Sequence, residues 1–330
     1  MMAMNGKAWS LASAAALLPC LLGSAAVHAA EVWPSKPIRF VVPFAAGGGA
    51  DFTGRLYGRY LADAWGGSVL VENRPGAGSN IGTQFVAQAP ADGYTVLVTS
   101  TAFAINPALY ANAGYDPIKG FEAVVNAGFS PTILFVHPSM PAKTVKELLA
   151  LGRSRPLSYA SAGVGTVPFL TVEYLFNLVS KADITHVPYG GAGPALQAVL
   201  GGHVPVGVAT YATPGLNDRF EAGKLRPLAV MAAKRTKERP EVPTASEAGF
   251  PGYVDSTWQG VFVPAGTPPA IVERLNAGFN EAMKSPVVSE ALNRIGFERE
   301  PNGARQFADY VRGEVGRWAK VVKETGVKAN

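Results

Sequence analysis

The chain has 330 residues, 48% of them hydrophobic and 16% charged, which supports a substantial core divided between two lobes and excludes an intrinsically disordered protein. Its formal charge of +5 is spread thinly apart from the short run KRTKER at Lys234 to Arg239. That pattern excludes a nucleic-acid footprint and is compatible with a small anionic ligand.

The first residues differ from the rest. Lys7 precedes the apolar run WSLASAAALLPCLLGSAAV, which ends in the small-residue sequence Val27-His28-Ala29-Ala30. This is the pattern of a secretory signal over residues 1–29, cleaved after Ala29 or Ala30. Pro19 and Gly23 interrupt the run, which is short for a bilayer span. Cys20 is the only cysteine, and Pro19 stands where a lipoprotein leader carries a small residue, so export to the periplasm without lipid is expected. Loss of Cys20 with the leader excludes disulfides, thiol chemistry and cysteine-ligated zinc from the mature chain.

In chain order, KPIRFVVPF predicts a strand and Phe52 to Trp65 a helix, with Leu56, Tyr60 and Leu61 on one side. SVLVEN predicts a strand, RPGAGSNIG a glycine loop, TQFVAQA a helix and YTVLVTS a strand. Then follow PTILFVHP as a strand, TVKELLALG as a helix, LSYASAGVGT leading into the helix FLTVEYLFNLV, ITHVPYG, the helix GPALQAVLGG, and VPVGVAT. Alternating strands and helices mean parallel-rich sheets covered by helices. After KLRPLAVMA come proline-rich connections, a strand around WQGVFVP, and helices over Pro269 to Lys284 and Ala304 to Lys323. With no third sheet to cover, these late helices are expected to return to the first lobe. The expected organisation is therefore a discontinuous domain 1, residues 30–135 and 232–330, with domain 2, residues 136–231, inserted between hinge-like connections.

Catalytic apparatus is sparse. Only His137, His186 and His203 remain after processing, with no G-x-S-x-G elbow before a helix and no H-E-x-x-H pair. His186 is expected to be a satisfied strand-end residue. GGGAD lacks the Lys-Ser/Thr of a phosphate-binding loop, and GAGSNIG has the wrong interval for a dinucleotide fingerprint. No cofactor, metal or nucleic acid is expected.

Three loops share one construction, a strand end followed by glycines or small hydroxyl residues and then a helix. They are Pro43 to Asp51, Thr99 to Pro107 and Ser161 to Thr166. Glycine permits close backbone approach, and a helix N-terminus offers unpaired N–H groups that attract carboxylates. In open α/β sheets such loops gather beyond the carboxyl ends of the strands, so a cleft between lobes is the expected site. For any one loop the alternative is a tight turn in which Asp51, Ser161 or Thr166 merely caps a helix.

The ordered segments WPSKPIRFVVPFAAGGGAD, VENRPGAGSNIG, ADGYTVLVTST, NPALY, YASAGVGT, HVPYGGAGPALQAVLGG, GKLRPLAVMAAKR, PEVPTASEAGFPGY and WQGVFVPAGTP resemble the Bug family. These are extracytoplasmic receptors of tripartite tricarboxylate transporters, and the likeness spans essentially the whole mature chain. The resemblance implies an α/β, two-lobed periplasmic binding protein of the Venus flytrap type, with a parallel-rich sheet flanked by helices in each lobe and no catalysis. It implies capture of a small organic carboxylate and its delivery to inner-membrane transporter subunits. The ligand-binding residues it implies, together with those of the three loops, are Phe44, Ala46, Gly47, Gly48, Asp51, Ser100, Thr101, Ser161, Gly163, Gly165, Thr166, Tyr189 and Gly190. Phe169 and Ala209 complete the set. Relatives often carry a His near the former position and an Asp near the latter, so their replacement implies a less polar distal pocket suited to an aromatic or aliphatic monoacid, the alternative being that Phe169 is core packing on its helix. Two other readings are a periplasmic sensor that docks on a sensor kinase of a two-component system, and a secreted hydrolase using Asp51 or His186.

Overall fold

The computed structural model describes Met1, residues 33–251 and residues 253–329. The predicted leader beyond Met1, with Lys7, Cys20 and the cleavage site, lies outside the described residues. Among the described residues no helix is long and apolar enough to cross a membrane.

The fold is a two-lobed α/β structure in which one strand serves both lobes. β1 (Ile38–Val42) lies between β2 (Val69–Asn73) and β3 (Thr95–Ser100), parallel to both. β9 (Ser256–Pro264) runs antiparallel beside β3. β4 (Phe121–Val136) pairs with β9 along Phe121 to Pro131, then from Thr132 onward with β7 (Val206–Thr210), while β8 (Arg226–Val230) joins it from Ile133. β5 (Leu157–Ser161) pairs in parallel with β7 and with β6 (Ile184–Pro188). The spatial order is β2-β1-β3-β9-β4-β7-β5-β6, with β8 on β4.

β4 begins well before the expected strand at PTILFVHP. Its register shifts between Ala123 and Val125 and again between Asn126 and Gly128. Each irregularity breaks the two-residue alternation that marks a strand, so the periodicity is lost although the pairing continues.

The helices are α1 (Gly49–Trp65), α2 (Asn80–Ala87), α3 (Ala102–Leu109), α4 (Val145–Ser154), α5 (Val167–Glu173, followed by a π-helical turn at Tyr174–Val179) and α6 (Ala192–Leu200). Then come α7 (Leu216–Glu221), α8 (Pro269–Lys284), α9 (Pro286–Arg294) and α10 (Ala304–Thr325). Four differ from expectation, α9 among them, since no helix was expected between Lys284 and Ala304. α2 starts inside the expected glycine loop, α7 was not anticipated, and α3 occupies most of the expected loop Thr99 to Pro107. Pro107 sits inside α3 because the carbonyl it frees, that of Phe103, accepts a hydrogen bond from the Tyr115 hydroxyl at 3.0 Å.

α8 packs on β4 and α1, and α10 on α3 and β4, so the C-terminal helices return to elements from the start of the chain. The α10 contact is anchored by buried Glu314, whose carboxylate accepts from the indoles of Trp258 and Trp318, each at 3.1 Å, and from Arg317. On β9, Trp258 and Phe262 face that side, whereas Val261 and Val263 join Phe40, Tyr57 and Phe279 in the core under α1 and α8. The same alternation sends Thr257 and Gln259 to the face opposite Trp258.

Candidate ligand-binding cleft

The loop after β1 is shaped by one carboxylate. Gly47 takes φ +85°, a left-handed conformation open to glycine, and its N–H donates to Asp51 Oδ2 at 3.0 Å. Asn73 Nδ2 donates to Asp51 Oδ1 at 2.9 Å and to the Phe44 carbonyl at 3.0 Å, and Arg55 pairs with Asp51 at 2.9 Å. Burial opposes ionisation of Asp51, but the bonds from Arg55, Gly47 and Asn73 outweigh it and hold the carboxyl below its usual range. Asp51 thus sits in the first turn of α1, turned inward as the strut of the loop, and does not line the cleft.

Asp51→Ala would remove the acceptor of the Gly47 N–H and one of the two acceptors of the Asn73 amide, and is expected to cost about 1–2 kcal/mol in a denaturant titration. Because the folded pKa is depressed, the contribution of Asp51 is present above the unfolded value of 3.8 and is lost as pH falls below it. The variant and parent should therefore converge in stability under acid.

α1 begins at Gly48 and α6 at Gly191 with no side-chain cap on either. The orphaned N–H groups of the two first turns therefore await an acceptor. The two ends come from opposite sides of the cleft and abut: a Cβ built on Gly48 would lie 3.4 Å from the Ala192 Cβ. The lobes are closed on one another here, with Ala45 N–H donating to the Gly190 carbonyl at 2.7 Å.

The loop after β5 is tied down by its hydroxyls. Ser161 Oγ accepts from Gly163 N at 3.1 Å and lies 2.7 Å from His186 Nε2. Thr166 caps α5, its Oγ1 accepting from Phe169 N at 3.4 Å and donating to the Gly163 carbonyl at 2.9 Å. His186 lies between the rings of Tyr159 and Phe169, with centroids 4.8 and 4.5 Å away. Burial lowers its pKa to about 4, so the ring is neutral at physiological pH. An orienting carboxylate on the ring would push in the other direction. The Ser161–His186 pair thus reads as a brace for the loop. Sequence reasoning missed the pair because β5 and β6 bring it together through their parallel register, Ser161 opposite Pro188.

Two chambers result, with Phe44 and Ala162 in the walls of both. The first, about 440 Å³ including its open mouth, is lined by Phe44, Gly48, Gly49, Ala50, Ser100, Ala162, Thr166, Pro168, Ala192, Ala209, Thr210, Thr257 and Gln259. The second, about 620 Å³ on the same measure, shares Phe44 and Ala162 and adds the loop Gly76 to Ser79, Tyr110, Gly163, Val164, Pro188, Tyr189 and Gly190. Among the described residues no Asp, Glu, Lys, Arg or His lines either chamber. Any attraction for an anion there comes from the backbone dipoles and helix ends.

Of the expected site residues, Phe44, Gly48, Ser100, Thr166 and Ala209 line the first chamber, and Phe44, Gly163, Tyr189 and Gly190 the second. The remainder act on the loops from behind. Ala46 and Gly47 form the tip against Gly193, and Thr101 bonds the backbone of Trp258 through both its N–H and its hydroxyl. Gly165, at φ +85°, leaves room for Asn106, whose Oδ1 would lie 2.0 Å from an added Cβ. Phe169 packs on His186 in the core. The wall beyond Ala209 carries three polar side chains that the sequence reading left out, Thr210, Thr257 and Gln259. The signal was present in STWQGVFVP: two polar residues on one face of a strand otherwise apolar enough to be central.

The family model described as "Tripartite tricarboxylate transporter family receptor" matches residues 55–327. Protein BugT of Bordetella pertussis is 36% identical over 310 residues, covering 93% of this chain and 94% of that protein. Among solved structures, the periplasmic binding protein BugD superposes with a TM-score of 0.86 at 31% identity, over 90% of this chain and 100% of that one. R. palustris Rpa4515, solved with adipate, gives a TM-score of 0.84 at 35% identity, over 89% and 98%.

Proposed function

Since the chain belongs to the tripartite tricarboxylate transporter receptor family, we propose that it is a periplasmic receptor, exported by a leader over residues 1–29, that closes its lobes on a small organic carboxylate. It then delivers that acid to the inner-membrane subunits of a tripartite carrier and does not transform it. One observation carries this reading. Two uncapped helix N-termini, those of α1 and α6, meet across a cleft lined by no charged side chain among the described residues. A carboxylate would supply the missing caps from both sides at once. The adipate bound to the R. palustris relative supports the same ligand class.

The moving parts are two lobes, their expected limits 30–135 with 232–330 and 136–231 shifting to Thr132 and to the entry of β9, because Pro243, Thr244 and Ala245 pair with Val230 of β8. β4, which changes partners at Thr132, and the segment leading into β9 act as hinges. Contacts made to both lobes exist only when they are closed, so a ligand shifts the population toward that state. Phe44, Gly48, Ser100, Thr166 and Ala209 wall the ligand. Gly163, Tyr189 and Gly190 extend the wall, and Ala46, Gly47, Asp51, Thr101, Ser161, Gly165 and Phe169 hold those loops in shape.

The test is a thermal-shift screen of aliphatic, hydroxylated, aromatic, di- and tricarboxylic acids. A ligand present at a hundred times its Kd adds about 2.7 kcal/mol of apparent stability, enough to raise Tm by several degrees. The acid should then be recovered unchanged after prolonged incubation. A panel in which no acid raises Tm would sink the receptor reading, and product accumulating beyond stoichiometry would sink the claim that the protein does not catalyse.

A further inference from the structure

The far wall of the first chamber contains a chemical demand that a carboxylate at the helix ends does not meet. Thr257 and Gln259 are each only 4% exposed and line the chamber from β9, whose backbone is paired with β3 on one side and β4 on the other. Thr257 Oγ1 and Gln259 Oε1 are buried and find no hydrogen-bond partner within the protein. Buried polar atoms are rarely left unpaired, because each has given up its bonds to water without replacement. The two belong to adjacent same-face positions on one strand, and both residues border the same chamber.

What would satisfy them is restricted. Gln259 Oε1 only accepts, so a carboxylate, which could take a bond from Gln259 Nε2 or the Thr257 hydroxyl, brings no proton to Oε1 and leaves it unmet. A hydroxyl can donate to Gln259 Oε1 and accept from Thr257 Oγ1. The wall also lies close to the helix end: a Cβ on Gly49 would come 3.5 Å from Gln259 Nε2 and 3.6 Å from Thr210 Oγ1. A group that meets the amide is therefore near a carboxylate seated on the first turn of α1.

We propose, resting on the carboxylate reading above, that Thr257 and Gln259 form a neutral hydrogen-bonding subsite that makes this receptor select 2- or 3-hydroxycarboxylates over the corresponding unhydroxylated acids. The subsite determines specificity, and the helix ends supply the general affinity for the anion.

Calorimetric titration of the whole protein with the matched pairs lactate and propionate, and 3-hydroxybutyrate and butyrate, tests the proposal. In at least one pair the hydroxylated acid should bind about tenfold or more tightly. Gln259→Leu and Thr257→Val, each first shown to retain a cooperative thermal transition, should independently reduce that ratio toward one. Equal binding within both pairs overturns the subsite, as it would if water fills it, while leaving the carboxylate reading intact. The same holds if only unhydroxylated or aromatic acids bind. Absence of binding by every carboxylate in the wider screen overturns the receptor reading and the subsite with it.

Discussion

Gly193→Ala is expected to weaken carboxylate binding about ten- to a hundredfold while leaving the unliganded protein as stable as the parent, or slightly more so. Gly193 lies in the first turn of α6 in an ordinary helical conformation, so alanine there is favoured locally by up to about 1 kcal/mol. In the closed cleft, however, the added Cβ would land 2.5 Å from the Ala46 carbonyl oxygen and 3.2 Å from Gly47 Cα. Both are backbone atoms, with no side chain to rotate away. Overpacking of this kind costs about 1–3 kcal/mol, and here the cost falls on the closed state alone. Calorimetry on the variant, paired with its unliganded Tm, separates the two effects. Undiminished affinity would show that the contact between Gly193 and the Ala46–Gly47 tip is not part of the liganded form.

Asp255→Asn is expected to remove a pH dependence of stability on the order of 2 kcal/mol between about pH 4 and pH 6. Asp255 stands immediately before β9, where its carboxylate accepts from Thr132 N at 3.3 Å and from the Thr171 hydroxyl. Thr132 is the residue at which β4 passes from one sheet to the other, and Thr171 lies on α5, so this carboxyl joins three elements at the strand crossing. Burial pushes Asp255 up to about 6, against the bonds from Thr171 and Thr132 and the charge of Arg317. A folded pKa above the unfolded 3.8 means that the native state binds the proton more tightly. Its stability therefore declines as pH rises through this window and is level above it. Asparagine is neutral throughout, so the stability of the variant minus that of the parent should grow from about pH 4 to pH 6 and then flatten. Chemical denaturation at a series of pH values measures the difference, and a difference that does not vary with pH would falsify the assignment.

Much of the first lobe is legible along the chain. β1, the glycine loop and α1 follow one another as the alternation, the Gly47 turn and the helical spacing require, and α8 has the limits its proline start and amphipathic face indicate. The resemblance in segment order extended this to the family. The limits appear where a residue's role depends on a neighbour distant in sequence. Asp51 looks like a ligand-facing acid until Asn73 and Arg55 are seen to occupy it. Phe169 looks like a cleft residue until His186 is found against its ring. β4 escaped notice over its first half because its bulges erase the period-2 pattern that local reading depends on.

By itself, then, the sequence determined an α/β chain with glycine loops at strand ends, a leader pattern, and a scarcity of catalytic groups. These properties are local, set by backbone freedom, side-chain period and composition. Only the tertiary structure decided that the uncapped ends of α1 and α6 face each other, that Ser161 and His186 form a brace, and that Thr257 and Gln259 border the chamber with a buried oxygen unpaired on each. Those outcomes depend on which strands pair and in what register, and pairing is a choice among distant segments that no local period records.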